Sequence, residues 1–298
     1  MQLHRIGEFG LIERLKKHIK TDSSVIVGSG DDCAVLKFNK ERYQLLTCDM
    51  IVEGVDFTLR DRLDLIGRKA LAISLSDIAS CAGIPRHAVV SMGIPKRITV
   101  ENVEVITKGL FALANKFKVN IVGGDLSSAN RLTIDVSLLG EVEKKNLVLR
   151  KGSKIGDIIF ITGSLGGSIR GKHLKFTPRL KEARFLVSNF KVNAMIDISD
   201  SLTQDLGHIL KASNAGAVLY EALIPMSKEA VKIEDALYGG EEFELLFTMS
   251  LKEGRRLMKK KFGIFKPIGK ITGKHQGLIL VDKFNKEKII SPKGYRHF

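Results

Sequence analysis

Gly28-Ser29-Gly30-Asp31-Asp32-Cys33-Ala34-Val35, answered by Thr47-Cys48-Asp49-Met50, are the segments on which the reading of this chain turns. Each sets aspartate among small or apolar residues, where an ordinary core strand carries none. A carboxylate at the mouth of a strand is costly to desolvate unless a cation or a partner neutralises it. Gly and Asp are also turn formers, so one such segment taken alone reads as a β-turn. The recurrence decides otherwise. Leu75-Ser76-Asp77-Ile78-Ala79 lies in an Ala-rich apolar run, Val122-Gly123-Gly124-Asp125 ends a short strand, and Met195-Ile196-Asp197-Ile198-Ser199-Asp200 ends another. Asp32, Asp49, Asp77, Asp125, Asp197 and Asp200 thus all stand at element ends or in apolar windows. Hard cations such as Mg²⁺ take carboxylate oxygens and bridge to substrate phosphates. Separated aspartates of this kind suit a nucleotide site with several Mg²⁺ ions.

The 298 residues fit one large or two medium domains, and 44 % hydrophobic content is ordinary for a soluble protein. No apolar run approaches the roughly 18 residues of a membrane span. The start, Met1-Gln2-Leu3-His4-Arg5, lacks the apolar region of a signal peptide. Three scattered cysteines indicate neither a disulfide framework nor a zinc site, so the expected compartment is a reducing cytoplasm. The net charge of +15 suggests anionic partners. Nucleic acid is not expected among them: Trp is absent, Tyr is scarce, and basic and aromatic residues do not interleave. Phosphorylated small molecules match the charge.

Apolar spacing of three and four predicts helices at 8–19, 63–81, 100–117, 202–212 and 251–262. Short strands are expected at 25–27, 34–38, 43–50, 87–94, 119–122 and 132–142. A second series falls at 157–162, 194–198, 217–220, 244–249, near Ile268 and at 278–281. The polar, turn-rich stretch 145–154 marks a boundary. Mixed elements on both sides give an α+β or α/β protein of two domains, 1–147 and 148–298.

Gly166-Gly167-Ser168-Ile169-Arg170-Gly171-Lys172-His173 resembles a phosphate-cradling loop but carries His173 where Ser or Thr must reach Mg²⁺, so it reads as a glycine-rich entry to a helix. Gly239-Gly240-Glu241-Glu242-Phe243-Glu244 reads either as a turn with solvated acids or as a glutamate carried into a substrate cleft. His208 reads as a structural helix residue. No nucleophile–base constellation stands out.

Taken in order, Gly30-Asp31-Asp32-Cys33-Ala34-Val35, Asp49-Met50-Ile51-Val52-Glu53-Gly54-Val55, Leu75-Ser76-Asp77-Ile78-Ala79, Gly123-Gly124-Asp125, Ile196-Asp197-Ile198-Ser199-Asp200, Gly239-Gly240-Glu241 and Gly294-Tyr295-Arg296-His297-Phe298 resemble thiamine-monophosphate kinase. That family belongs with aminoimidazole ribonucleotide synthetase and selenophosphate synthetase. The resemblance implies a homodimer whose N-terminal domains pair sheets across the two-fold, with ATP near that interface and a separate C-terminal α/β domain. It implies Mg²⁺ ligands at Asp32, Asp49, Asp77, Asp125, Asp197 and Asp200, with Thr47 and Cys48 where hydroxyl residues also touch metal. Gly124, Asp125, Arg150 and Ser199 match ATP contacts, and Glu241 matches a substrate contact.

The departures fall on the acceptor side. Asp56 replaces a substrate-contacting His, and Pro292 stands where an aromatic precedes the terminal motif. Cys48 and Leu126 each replace a Thr, and Ser201 replaces a Gly. The implied reaction is transfer of the ATP γ-phosphoryl group to thiamine monophosphate, assisted by several Mg²⁺ ions and without a strong general base. Alternatives are a related ATP-dependent enzyme acting on another small acceptor, or a nucleotide-binding regulator without turnover. The selenophosphate branch is not expected, because no cysteine precedes Cys33.

Overall fold

The computed structural model describes residues 5–295. Met1-Gln2-Leu3-His4 and Arg296-His297-Phe298, the end of the last family motif, lie outside the described residues. After helix α1 (Gly7–Lys16) the chain builds a six-stranded sheet. Its strands are β1 (Val25–Val27), β2 (Ala34–Lys37), β3 (Arg42–Val52), β4 (Ile84–Ile94), β5 (Asn120–Ser128) and β6 (Thr133–Glu143). Their order is β1-β2-β3-β6-β4-β5, with β4 and β5 parallel and the other neighbours antiparallel. Helices α2 (Leu63–Ser80) and α3 (Val100–Phe117) fall between the strands.

The alternation along β6 shows why one face is covered and one open. Ile134, Val136, Leu138 and Val142 are fully buried against the helices, while the residues between them are half-buried. Helix α3 starts on a capping box formed by Thr99 and Asn102 and ends at Lys118 in the left-handed region. Helix α2 is wrapped on all sides, with 13 of its 18 residues buried. It packs so closely on α3 that a Cβ at Gly67 would lie 1.8 Å from the Ile106 carbonyl oxygen.

The second half adds β7 (Ile158–Thr162), α4 (Lys172–Lys175), α5 (Leu180–Asn189), β8 (Ala194–Asp197), α6 (Leu202–Ser213) and β9 (Ala215–Tyr220). It continues through α7 (Ile233–Tyr238), β10 (Leu245–Met249), α8 (Leu251–Lys259), β11 (Phe265–Gly273), β12 (Leu278–Val281) and β13 (Glu287–Ile290). This sheet has the order β13-β12-β9-β11-β7-β10-β8, with β9 and β12 parallel. Its strands β7, β10 and β8 are buried on both faces, and alternate residues feed different cores, while the edge strand β13 is largely exposed. Phe160, Met195 and Phe247 join the core that continues around α2 into the first sheet. Ile159, Ile161, Ile196 and Leu246 face α6 in a second core.

Most of the expected elements are present. One difference concerns the site: Gly123-Gly124-Asp125 is not a turn between strands but the middle of β5. Parallel pairing with β4 supplies hydrogen-bond partners that local sequence does not reveal. Helix α7 and strand β13 were not foreseen; both are short, and half of β13 is charged.

Candidate active site

Four acids from four different elements meet between the two sheets. Asp49 projects from the covered face of β3 and accepts a hydrogen bond from Ser74 Oγ on α2 at 2.8 Å. Thr47, two residues earlier on the same face, donates its hydroxyl to Asp77 Oδ2. Asp77 is three residues beyond Ser74, so both lie on the stripe of α2 that faces β3. Asp197 ends β8 and accepts from Ser76 Oγ at 2.6 Å. Asp32 enters from the loop before β2 and is held by Arg150, whose Nε donates to Asp32 Oδ1 at 2.9 Å.

These carboxyls repel one another in a region shielded from water. Burial first, and then Asp32 and Asp49 as like charges, push Asp197 up to about 7. Burial likewise pushes Asp49 up to about 6, with Asp135 and Asp32 adding to it. Asp77 goes well above the usual carboxylate range through burial and the charges of Asp49, Asp197 and Asp32. Asp32 Oδ2 is buried and has no hydrogen-bond partner. An orphaned carboxylate oxygen among crowded acids fits a hard divalent cation, whose preferred ligands are such oxygens.

Arg150 links this cluster to a cavity of about 780 Å³. Burial disfavours its charged form, but Asp32 and Asp31 more than restore it. Its backbone N–H donates to Asp31 Oδ2 at 3.1 Å. Ser199, Asp200 and Pro292 line the same cavity, with Phe9, Glu13 and Lys16 of α1 along one side. Asp200, Asp205 and His208 offer ligand atoms within 4.8 Å of one another. His208 is neutral at physiological pH, because burial and then the Arg150 charge push it down to about 4. It packs edge-on against Phe9, with ring centroids 5.3 Å apart.

The Gly239–Glu244 turn is neither solvated nor loose. Gly240 is needed there, since a Cβ would lie 2.8 Å from the Asp200 carbonyl oxygen. Glu241 and Phe243 adopt positive φ values of 61° and 50°, a strain that packing must hold. Each acid is paired with a cation, and Lys172 also reaches Glu244 at 3.1 Å. Glu241 pairs with Lys69 of α2, Glu242 with Lys172, and Glu244 with Arg179. Asp56 Oδ2 accepts the Val52 N–H at 2.7 Å, so its carboxylate caps the turn after β3. Burial, followed by the charges of Asp56 and Glu241, raises the Tyr295 hydroxyl, so both carboxylates act on it.

Two groups of expected residues are not brought to the cluster. Cys48 lies on the exposed face of β3, because strand alternation turns it away from Thr47 and Asp49. Gly124 and Asp125 lie on exposed β5. The register sets Asp125 in one row with Ser91, Asp135 and Met50 on the open face. Within one copy of the chain the sheet therefore separates Asp125 from Asp49. Pro292 packs on Gly207 of α6.

Sequence reading placed Ser74 on one helix face with Asp77 but gave it no role, and it missed a role for Ser76, Lys69, His173 and Asp205. The hydroxyls carry no signal in a helix rich in small residues. Lys69 does carry one: next to Arg68 and ahead of an apolar run, a lysine must find a partner once buried.

Residues 30–142 match the family described as AIR synthase related protein, N-terminal domain. The chain is 38 % identical to thiamine-monophosphate kinase of Buchnera aphidicola subsp. Schizaphis graminum, over 98 % of this chain and 99 % of the relative. It is 32 % identical to thiamine-monophosphate kinase of Bacillus subtilis, over 98 % and 100 %. Among solved structures, AaThiL complexed with AMPPCP and TMP superposes with a TM-score of 0.87 at 29 % identity, covering 100 % of this chain and 99 % of that one.

Proposed function

The chain belongs to the thiamine-monophosphate kinase family, and from that premise we propose how its own residues carry ATP-dependent phosphorylation of thiamine monophosphate to thiamine diphosphate. The observation that carries the reading is the convergence of Asp32, Asp49, Asp77 and Asp197 beside Arg150, with Asp32 Oδ2 unpartnered.

Mg²⁺ would be held by Asp32, Asp49, Asp77 and Asp197, with Asp200 at the rim of the cavity. The chemistry that it would supply there is neutralisation of crowded phosphate oxygens during γ-phosphoryl transfer. Arg150, fixed by Asp32, presents its remaining guanidinium donors to phosphate, a geometry that favours bidentate contact. Ser199 stands on the same cavity wall. The acceptor phosphate oxygen is already charged at neutral pH, so its attack needs alignment rather than a base. Glu241 is not built as one. Burial opposes its ionised form, yet His173 and Lys69 hold it below the usual range.

Asp125 and Gly124 enter the reading through a second copy of the chain. Leu46, Met50 and Val89 are exposed on the open face of the first sheet. Pairing two such faces would cover this apolar surface and carry Asp125 of one protomer toward the nucleotide.

Incubating the purified chain with ATP, Mg²⁺ and thiamine monophosphate should yield thiamine diphosphate and ADP in equal amounts. ADP release with thiamine monophosphate left unchanged would remove this acceptor.

A further inference from the structure

Lys69 lies in the middle of α2 and is fully buried. Its Nζ has three partners, matching the three donors of an ammonium group. It donates to Glu241 Oε1 at 2.5 Å and to the Asp56 carbonyl oxygen at 2.8 Å, and it lies 3.1 Å from His173 Nδ1. These partners come from three separate stretches: the turn after β3, the short helix α4, and the Gly239–Glu244 turn. His173 Nδ1 is also 3.0 Å from Glu241 Oε2, so both oxygens of that carboxylate are held.

Asp56 and Glu241 both bear on the Tyr295 hydroxyl, and both stand at positions that the family resemblance sets at the acceptor. One lies in the N-terminal half of the chain and the other in the C-terminal half, so their spacing is a matter of how the halves dock. Lys69 sits on the helix that both halves wrap. We propose that Lys69 is a positioning residue of the acceptor pocket, holding the Asp56 turn and the Glu241 turn at the separation that thiamine monophosphate requires. It works through these two groups and does not touch the reacting atoms. Nor does it add net charge, since the Lys69–Glu241 pair is answered inside the protein. What it supplies is a fixed wall in place of two independent loops. The proposal rests on the assignment of the acceptor.

The parent, Lys69→Met, and the double variant Lys69→Met with Glu241→Gln are compared by steady-state kinetics and thermal unfolding. The double variant removes both charges, which is often tolerated where removal of one partner is not. Lys69→Met is expected to raise the KM for thiamine monophosphate on the order of tenfold while the KM for ATP stays within about twofold. The double variant is expected to recover thermal stability, and Glu241→Gln alone, measured beside it, is expected to raise the acceptor KM less than the double variant does, a difference that a merely structural lysine would not produce. An equal rise in both constants, or an unchanged acceptor KM in either folded variant, overturns the proposal. Failure of both variants to fold assigns Lys69 to stability alone and overturns it too. If the parent does not phosphorylate thiamine monophosphate, the assigned reaction falls, and the acceptor role of Lys69 falls with it.

Discussion

Ser76 of α2 donates its hydroxyl to Asp197 at the end of β8, 2.6 Å away, and so ties the two sheets together at the acid cluster. Ser76 is 1 % exposed, and its loss would leave Asp197 without that donor. Ser76→Ala should therefore destabilise the chain by about 1–3 kcal/mol in denaturant unfolding. It should also weaken ATP, because Asp197 is no longer oriented. A loss below about 0.5 kcal/mol, within the range of neutral surface changes, would show the bond to be incidental.

Metal-free stability should fall as pH rises. Unfolded aspartates lose their protons near 3.8, whereas folded Asp49 holds its proton to about 6 and Asp197 to about 7. Between those values the folded chain binds more protons, so its advantage is complete below the unfolded pKa and is lost through the folded one. Glu143, lowered from 4.5 to about 2 by Arg184, acts below pH 5, while His208, lowered from 6.5 to about 4, opposes the trend up to pH 6.5 and is outweighed by the two aspartates. Calorimetry without metal should show Tm declining from pH 5 to 7.5. Mg²⁺ with ATP should raise Tm more at pH 7.5 than at pH 5. A metal-free Tm that climbs over this range would contradict the crowded-acid assignment.

Asp49→Asn should abolish turnover while leaving the metal-free fold at least as stable at pH 7.5, since one repelling charge is gone. Circular dichroism and turnover, measured on the same preparation, test both halves. Near-normal activity would remove Asp49 from the ligand set.

Arg150→Lys keeps the charge and loses the planar fork. The KM for ATP should rise about tenfold or more, with the acceptor constant far less affected. Equal effects on both would return Arg150 to a purely structural tie with Asp32.

Met50→Glu on the open face of the first sheet should give a monomer by light scattering and lose most activity, though Met50 touches none of the buried acids. Asp125→Asn should keep the dimer and lose activity. An active monomer would detach Asp125 from the nucleotide.

Asp56→His with Pro292→Trp should tighten thiamine monophosphate through a stacking face, a contact of about 0.5–1.5 kcal/mol. Pro292 lines the cavity of Arg150 and Ser199, so the KM for ATP is read on the same variant. The gain has an opposing cost, because Asp56 caps the Val52 N–H and Pro292 packs on Gly207. Unchanged acceptor affinity in a folded double variant would show that neither position faces the substrate.

The sequence by itself determined the element order, the mixed two-sheet class and the recurrence of aspartate in apolar windows. Hydrophobic spacing and isolated charges are local properties, and they survive without coordinates. Thr47 and Asp49 could be placed on one strand face, and Ser74 and Asp77 on one helix stripe, because both periods are fixed by backbone geometry. The tertiary structure alone decided which of these meet. Asp77 reaches Asp197 only because α2 is wrapped by both halves of the chain, and Asp125 fails to join them because Gly123-Gly124-Asp125 pairs into an edge strand. The Gly239–Glu244 acids read equally well as a solvated turn until Lys69, Lys172 and Arg179 were seen to hold them. Ion pairs of that kind join residues up to 172 positions apart, and no local pattern encodes such a distance.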